Sequence, residues 1–226
     1  MNASSQGSVD LLVLAAYAPE LAGMRRLLGD NLHGNVSGVV VSCKAVGVGL
    51  PNAVAGTVLR VLQLRPRAVV LVGTAGFYPG APTAIDEAIV VRRTQLVDPI
   101  EQEGRGAMPD PMPKNADANP MLALGLMGGR PAVLDVANTL VVTTDDALAA
   151  RMYAATGCSL ENLEAFGIAN ACALHNVPFA AVLGVSNRVG STGREEWRAH
   201  HKNAAQFACE IVLRWLTAGA MGLPHA

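Results

Sequence analysis

The chain has 226 residues and 23.4 kDa, with 17 Lys+Arg against 18 Asp+Glu, a formal net charge of −1 and an isoelectric point near 6.5. That balance argues against a nucleic-acid binder, whose footprint is strongly basic. With 51% apolar and 15% charged residues, the chain is not disordered and is long enough to bury the core of one α/β domain, placed at 10–218. The opening MNASSQGSV (residues 1–9) reads as a polar tail without the basic start and apolar stretch of a secretion signal. No apolar run reaches the roughly 18 residues of a membrane span. Cys43, Cys158, Cys172 and Cys209 form no C-x-x-C pair, so neither a metal site nor a disulfide framework is expected. They read as buried thiols in a reducing cytoplasm.

In chain order, Leu11–Ala16 is an apolar run expected as a buried strand. A helix is predicted from Pro19 to Leu28, because proline suits a first helical turn. Val39–Val46 is β-branched and bounded by glycine, so it reads as a strand. Asn52–Leu64 has Val54, Val58, Val61 and Leu62 at helical spacing. Ala68–Val72 is a continuous apolar run of the kind a central parallel strand shows. Ala88–Val91 follows as a short strand. Residues 98–120 are rich in proline and glycine and read as a long surface loop. Leu140–Val142 is expected as a strand, Asp145–Ala155 and Asn162–His175 as helices, Phe179–Val185 as a strand, and Arg194–Leu216 as a terminal helix. This alternation predicts an α/β three-layer sandwich, a mostly parallel mixed sheet flanked by helices. In such sheets ligands bind at the carboxyl ends of the strands.

Several polar residues fall there. Glu20 follows the first strand, where it is either an ordinary first-turn carboxylate or a general base. Gly47-Val-Gly49-Leu-Pro-Asn52 departs from the dinucleotide fingerprint at Asn52, so no nicotinamide or other cofactor is expected, although its amides suit a polar ligand group. Gly73-Thr74-Ala75-Gly76 permits close backbone approach, or makes a tight turn. Glu161 and Glu164 precede an almost wholly apolar stretch and need partners there. Ser186-Asn187 ends a strand with two neutral hydrogen-bonding groups suited to a base edge. His200 and His201, adjacent on a helix, read as a solvated face. Trp197 reads most simply as core.

With these segments in order, the chain resembles the purine nucleoside phosphorylase and nucleosidase superfamily. The likeness spans about residues 11–215 and rests on AAYAPE, GVGLPNA, VGTAGF and ENLEAFGIANACALHNVPFAAVLGVSN. The 23-residue interval from Glu164 to Asn187 (187 − 164) matches the family's sugar-binding Glu and base-binding Asp or Asn. The segment SNRVGSTGREEW most resembles the futalosine hydrolases of menaquinone biosynthesis, and the methylthioadenosine/S-adenosylhomocysteine nucleosidases are similar too.

The resemblance implies a role for each matched residue. Glu20 would activate water. Thr74, with Ala75 and Gly76, would lie beside the sugar. Glu164 would take hydrogen bonds from the ribosyl hydroxyls, with Leu163 next to it. Asn187 would contact N7 of the purine, supported by Ser186, and Trp197 would serve as an aromatic lid. Leu71 stands where the phosphorylases carry an arginine, and Glu20 would repel phosphate, so hydrolysis is preferred over phosphorolysis. Phosphorolysis would need other arginines, such as Arg92, Arg93 or a partner subunit's. Asn187 in place of an Asp points to a 6-oxopurine such as hypoxanthine rather than adenine. The family is also dimeric or larger. A methylthioadenosine-type nucleosidase, or a nucleoside-binding protein without catalysis, are the other readings.

Overall fold

A computed structural model describes residues 8–128 and 133–225. Its sheet begins with β1 (Leu11–Ala15), which leads through a 3-10 coil (Ala18–Met24) and a single turn, α1 (Arg25–Leu28), to β2 (His33–Val36) and β3 (Val39–Ala45). After α2 (Leu50–Leu64) come the long strands β4 (Ala68–Phe77) and β5 (Ala88–Leu96). A short helix α3 (Pro99–Gln102), strand β6 (Asn115–Asp117) and helix α4 (Pro120–Met127) occupy the proline-rich region. The remainder is β7 (Val133–Asn138), α5 (Asp146–Thr156), β8 (Leu160–Asn162), α6 (Ala165–Leu174), β9 (Phe179–Arg188) and α7 (Gly193–Thr217).

β1 is apolar on both faces because both are covered. It pairs in parallel with β3 and β4, and its alternate residues enter different cores. Leu11, Val13 and Ala15 pack with Cys209, Val212 and Leu216 of α7, whereas Leu12 and Leu14 pack with Ala53 and Val61 of α2 and Ile168 of α6. This gives helix, sheet and helix layers. The sheet is mixed: β9 runs parallel to β4 and antiparallel to β5, and β8 joins β4 antiparallel to β7 parallel. With the β5–β7 pairing, strands β4, β9, β5, β7 and β8 close into a ring.

The structure corrects several expectations. Leu140–Val142 is not a strand. It is irregular and exposed, and the strand is β7, just before it. Asp135 pairs with Arg92 at the surface and interrupts the apolar run that would have announced β7. The helix expected from Asn162 starts at Ala165, because Leu160–Asn162 is drawn into the sheet as β8. Gly73–Gly76 is no turn, since β4 continues through it to Phe77. Residues 98–120 contain an element pair rather than one long loop. Of the expected tail, residues 1–7 lie outside the described residues, and Val9 is buried with its N–H donated to Leu64 O at 3.1 Å. At the other end the packing runs past 218: Ala220 is buried and Trp215 Nε1 donates to Met221 O at 2.9 Å. No helix among the described residues is long and apolar enough to cross a membrane.

β9 and α7 approach closely at Gly184, where an added Cβ would run into the main-chain carbonyl of Ala204. Because both are fixed backbone, neither can give way. Gly184→Ala is expected to cost about 1–3 kcal/mol by overpacking, lowering the thermal midpoint by roughly 3–10 °C in a melt followed by circular dichroism.

Candidate active site

The carboxyl ends of β1, β4 and β9 open into a cavity of about 650 Å³, within the range of small-molecule sites. The nine residues to which the resemblance gives a role all line it, namely Glu20, Thr74, Ala75, Gly76, Leu163, Glu164, Ser186, Asn187 and Trp197, and Glu161 lines it too. Tyr17, Val142, Thr143, Thr144, Asn162, Arg194 and Arg198, which the sequence did not mark, line it as well. None of residues 98–120 does.

Glu20 is held by the 3-10 coil that turns out of β1. Its own N–H donates to Tyr17 O at 3.0 Å, while Tyr17 N–H returns a bond to Oε2 at 3.1 Å. Oε1 accepts from Thr74 N–H at 3.1 Å and from the Thr74 hydroxyl at 3.2 Å. From behind, the Cys209 thiol donates to the Glu20 main-chain carbonyl at 3.2 Å. Loss of hydration pushes the Glu20 carboxyl up to about 7. The bond from Tyr17 pulls the other way, and the charge of Glu164 adds to the rise. The two carboxylates therefore face one cavity, and the charge of Glu164 reaches Glu20.

Glu164 stands at the start of α6. Its Oε1 accepts from Gly49 N–H at 2.8 Å, so a donor of the Gly47–Asn52 segment that suited a ligand is spent on a side chain of the protein. Burial raises its carboxyl above the ordinary value. Asn162 fixes its position: Oδ1 accepts from Glu164 N–H and Ala165 N–H at 2.8 Å each, and Nδ2 donates to Thr74 O at 3.0 Å. One amide thereby caps α6 and ties it to β4.

Glu161 takes a structural place in the wall. It accepts from Thr143 N–H at 2.9 Å, the Thr143 hydroxyl at 2.6 Å and the buried Tyr78 hydroxyl at 2.8 Å. Burial and the neighbouring Glu161 push the Tyr78 phenol well above its usual range. Thr143 O in turn accepts from Gly190 N–H at 3.2 Å, and the Asp146 carboxylate accepts from Ser191 N–H and hydroxyl at 2.9 Å. These bonds lash the 143–146 segment to the turn after Asn187. Only the pair of adjacent threonines hinted at this in the sequence.

Asn187 reaches the cavity through a bulge. Ala75 pairs with Val185 and Gly76 with Asn187, so Ser186 is the extra residue. Its hydroxyl lies 2.8 Å from Asn187 Oδ1 and 3.2 Å from Ala75 O. Asn187 Nδ2 donates one hydrogen to Arg188 O at 3.0 Å, which leaves the other free for a ligand acceptor. Gly76 makes room for that amide, since a Cβ there would come within 2.8 Å of Nδ2. Trp197, 37% exposed, closes the rim and donates from Nε1 to the Thr74 hydroxyl oxygen at 3.3 Å.

The arginines offered for phosphorolysis are elsewhere. Arg92 forms a two-pronged pair with Asp135 at 2.8 and 2.6 Å, and Arg93 bonds Asp117 at 2.7 Å. Neither lines the cavity. Leu71 is buried in the α2–α6 core. Among the described residues, no three His, Cys, Asp or Glu side chains are grouped to hold a metal ion.

With the geometry in view, the comparisons fall into place. The family model described as Phosphorylase superfamily matches residues 11–217, and the chain belongs to that superfamily. A futalosine hydrolase from Thermus thermophilus is 30% identical over 183 residues, 75% of this chain and 78% of that relative. Among solved structures, a 5′-methylthioadenosine/S-adenosylhomocysteine nucleosidase from Colwellia psychrerythraea, in complex with adenine, matches with a TM-score of 0.83 and 19% identity over 97% of this chain and 98% of that one. The futalosine hydrolase of Helicobacter pylori matches with a TM-score of 0.79 and 14% identity over 96% of this chain and 99% of that one. The α/β fold, a central sheet flanked by helices, is the one these proteins share.

The buried Glu20 makes a stability prediction. A carboxyl whose folded value lies near 7, above 4.5 when unfolded, contributes stability below pH 4.5 that is lost as pH rises through 7. Glu20→Gln removes that loss. The variant is expected to melt several degrees above the parent at pH 8 and within a degree or two of it at pH 5, measured in matched thermal melts.

Proposed function

We propose that this chain is a hydrolase that cleaves the N-glycosidic bond of a purine nucleoside. The observation that carries the reading is the pair of buried carboxylates, Glu20 and Glu164, facing one cavity at the strand ends. Glu20, poised near neutrality, suits a general base that orients and deprotonates water. As the bond to the base breaks, the sugar becomes oxocarbenium-like, and nearby negative charge stabilises it. Glu164, held by Gly49, would accept from the ribosyl hydroxyls and add to that potential. Thr74, Ala75, Gly76 and Leu163 would line the sugar. The leaving purine would take the free Asn187 hydrogen at N7 or O6, with Ser186 fixing the amide. An amide is no general acid, so solvent would supply the proton. A donor at that edge fits the oxygen of a 6-oxopurine, which, with the Thermus relative, favours a futalosine-like substrate. Trp197 would cover it. The same reading takes the chain as a homodimer or larger, and the exposed Leu140, Val141 and Val142 beside the cavity would supply an apolar contact.

A second reading rests on Arg194 and Arg198, which line the cavity and have the chemistry to hold phosphate. Incubation with futalosine, methylthioadenosine, inosine and adenosine, with and without phosphate, decides between them. Base release from futalosine or inosine without phosphate is expected. Strict dependence on phosphate would make the chain a phosphorylase, and no release from any of the four would leave a binding protein.

Because Glu20 must be charged to act, kcat/KM is expected to rise with pH and level off above about 7. Glu20→Gln is expected to lower kcat by at least about a thousandfold while hypoxanthine still binds, checked by turnover and calorimetry.

A further inference from the structure

The Thr74 hydroxyl stands between two groups with fixed roles. An indole N–H can only donate and a carboxylate can only accept, whereas a hydroxyl does both. Trp197 Nε1 lies 3.3 Å from Thr74 Oγ1, which lies 3.2 Å from Glu20 Oε1. The direction is therefore forced: Trp197 donates to Thr74, and Thr74 donates to Glu20. Trp197 is itself braced. The His201 ring, one turn along α7, stacks on it with centroids 4.3 Å apart and planes 17° apart, and His201 Nδ1 is 2.9 Å from Trp197 O. The histidine that the sequence placed on a solvated face thus supports the indole.

We propose that Trp197 is a positioning residue that acts through Thr74 on Glu20, fixing the hydroxyl as a donor to the carboxylate, with His201 holding the indole in place. The proposal rests on Glu20 being the base. A lid needs only an aromatic ring. The relay needs the N–H, since hydrogen bonds in sequence strengthen one another. It favours the charged form of Glu20, as the Tyr17 and Thr74 amides do, against burial and the charge of Glu164. Facing Glu20 are Glu164, the Tyr17 and Thr74 amides and the Cys209 thiol, which bonds only its main-chain carbonyl, and Arg194 and Arg198 of α7 line the same cavity.

Trp197→Phe keeps the ring and deletes the donor. It is expected to lower kcat about fivefold with KM within twofold, and to move the acid limb of the kcat profile to higher pH. Thr74→Ser keeps the hydroxyl of the relay, so in that background Trp197→Phe should again lower kcat about fivefold. In a Thr74→Val background, Trp197→Phe should add less than twofold, because the middle of the relay is already missing. An unchanged kcat and acid limb in Trp197→Phe would overturn the proposal. So would an equal effect in both backgrounds, or a change confined to KM, which is the mark of a simple lid. If the parent releases no base from any nucleoside, the function assigned above fails by itself. The relay is then read from the pH dependence of thermal stability, where a steeper loss of stability between pH 5 and 8 in Trp197→Phe supports it and superimposable curves overturn it.

Discussion

Two carboxylates have to be kept out of water without being neutralised by a cation, and the architecture around the cavity follows from that constraint. An unpaired buried charge is expensive, yet a neighbouring arginine would cancel the negative potential of the cavity. The chain resolves this with main-chain donors. Tyr17 and Thr74 serve Glu20, and Gly49 serves Glu164. Peptide dipoles offset part of the desolvation while leaving the net charge in place. Each donor comes from a different segment, so the site exists only when β1, β4 and the start of α2 are assembled.

The same logic bears on the choice of nucleophile. A phosphate dianion entering beside Glu20 and Glu164 would meet like charge, whereas water would not. Arg194 and Arg198 belong to the first turns of α7, and the charge acting on Glu20 is that of Glu164 rather than of an arginine. The cations of this cavity are not partners of its buried acids.

Much of this was legible in the residues. The apolar runs of β1 and β4, covered on both faces, announced a central sheet, and its strand ends pointed to Glu20, Thr74 and Asn187. The family resemblance, through the interval from Glu164 to Asn187, pointed to the second wall. What was not legible depended on pairing between distant segments. β8 has only three residues, too few for a periodic signal, and Glu161 and Asn162 in it look helical. β7 hides behind Asp135, whose partner Arg92 lies 43 positions earlier. Thr143 carries little sign of its importance beyond the adjacent Thr144, because its partners, Glu161 and Gly190, come from two other parts of the chain. The stacking of His201 on Trp197 likewise follows from helix geometry that an isolated histidine pair does not reveal.

The bulge at Ser186 has an evolutionary corollary. Side chains along a strand alternate between faces, so a one-residue slip reverses all that follow. Excising Ser186 would restore a regular ladder, yet it would change the direction in which the Asn187 amide leaves the strand at the cavity. Codon loss at that point would therefore alter the cavity even though the sheet itself would gain regularity. Across descendants of this gene, the length of β9 should drift less than its composition.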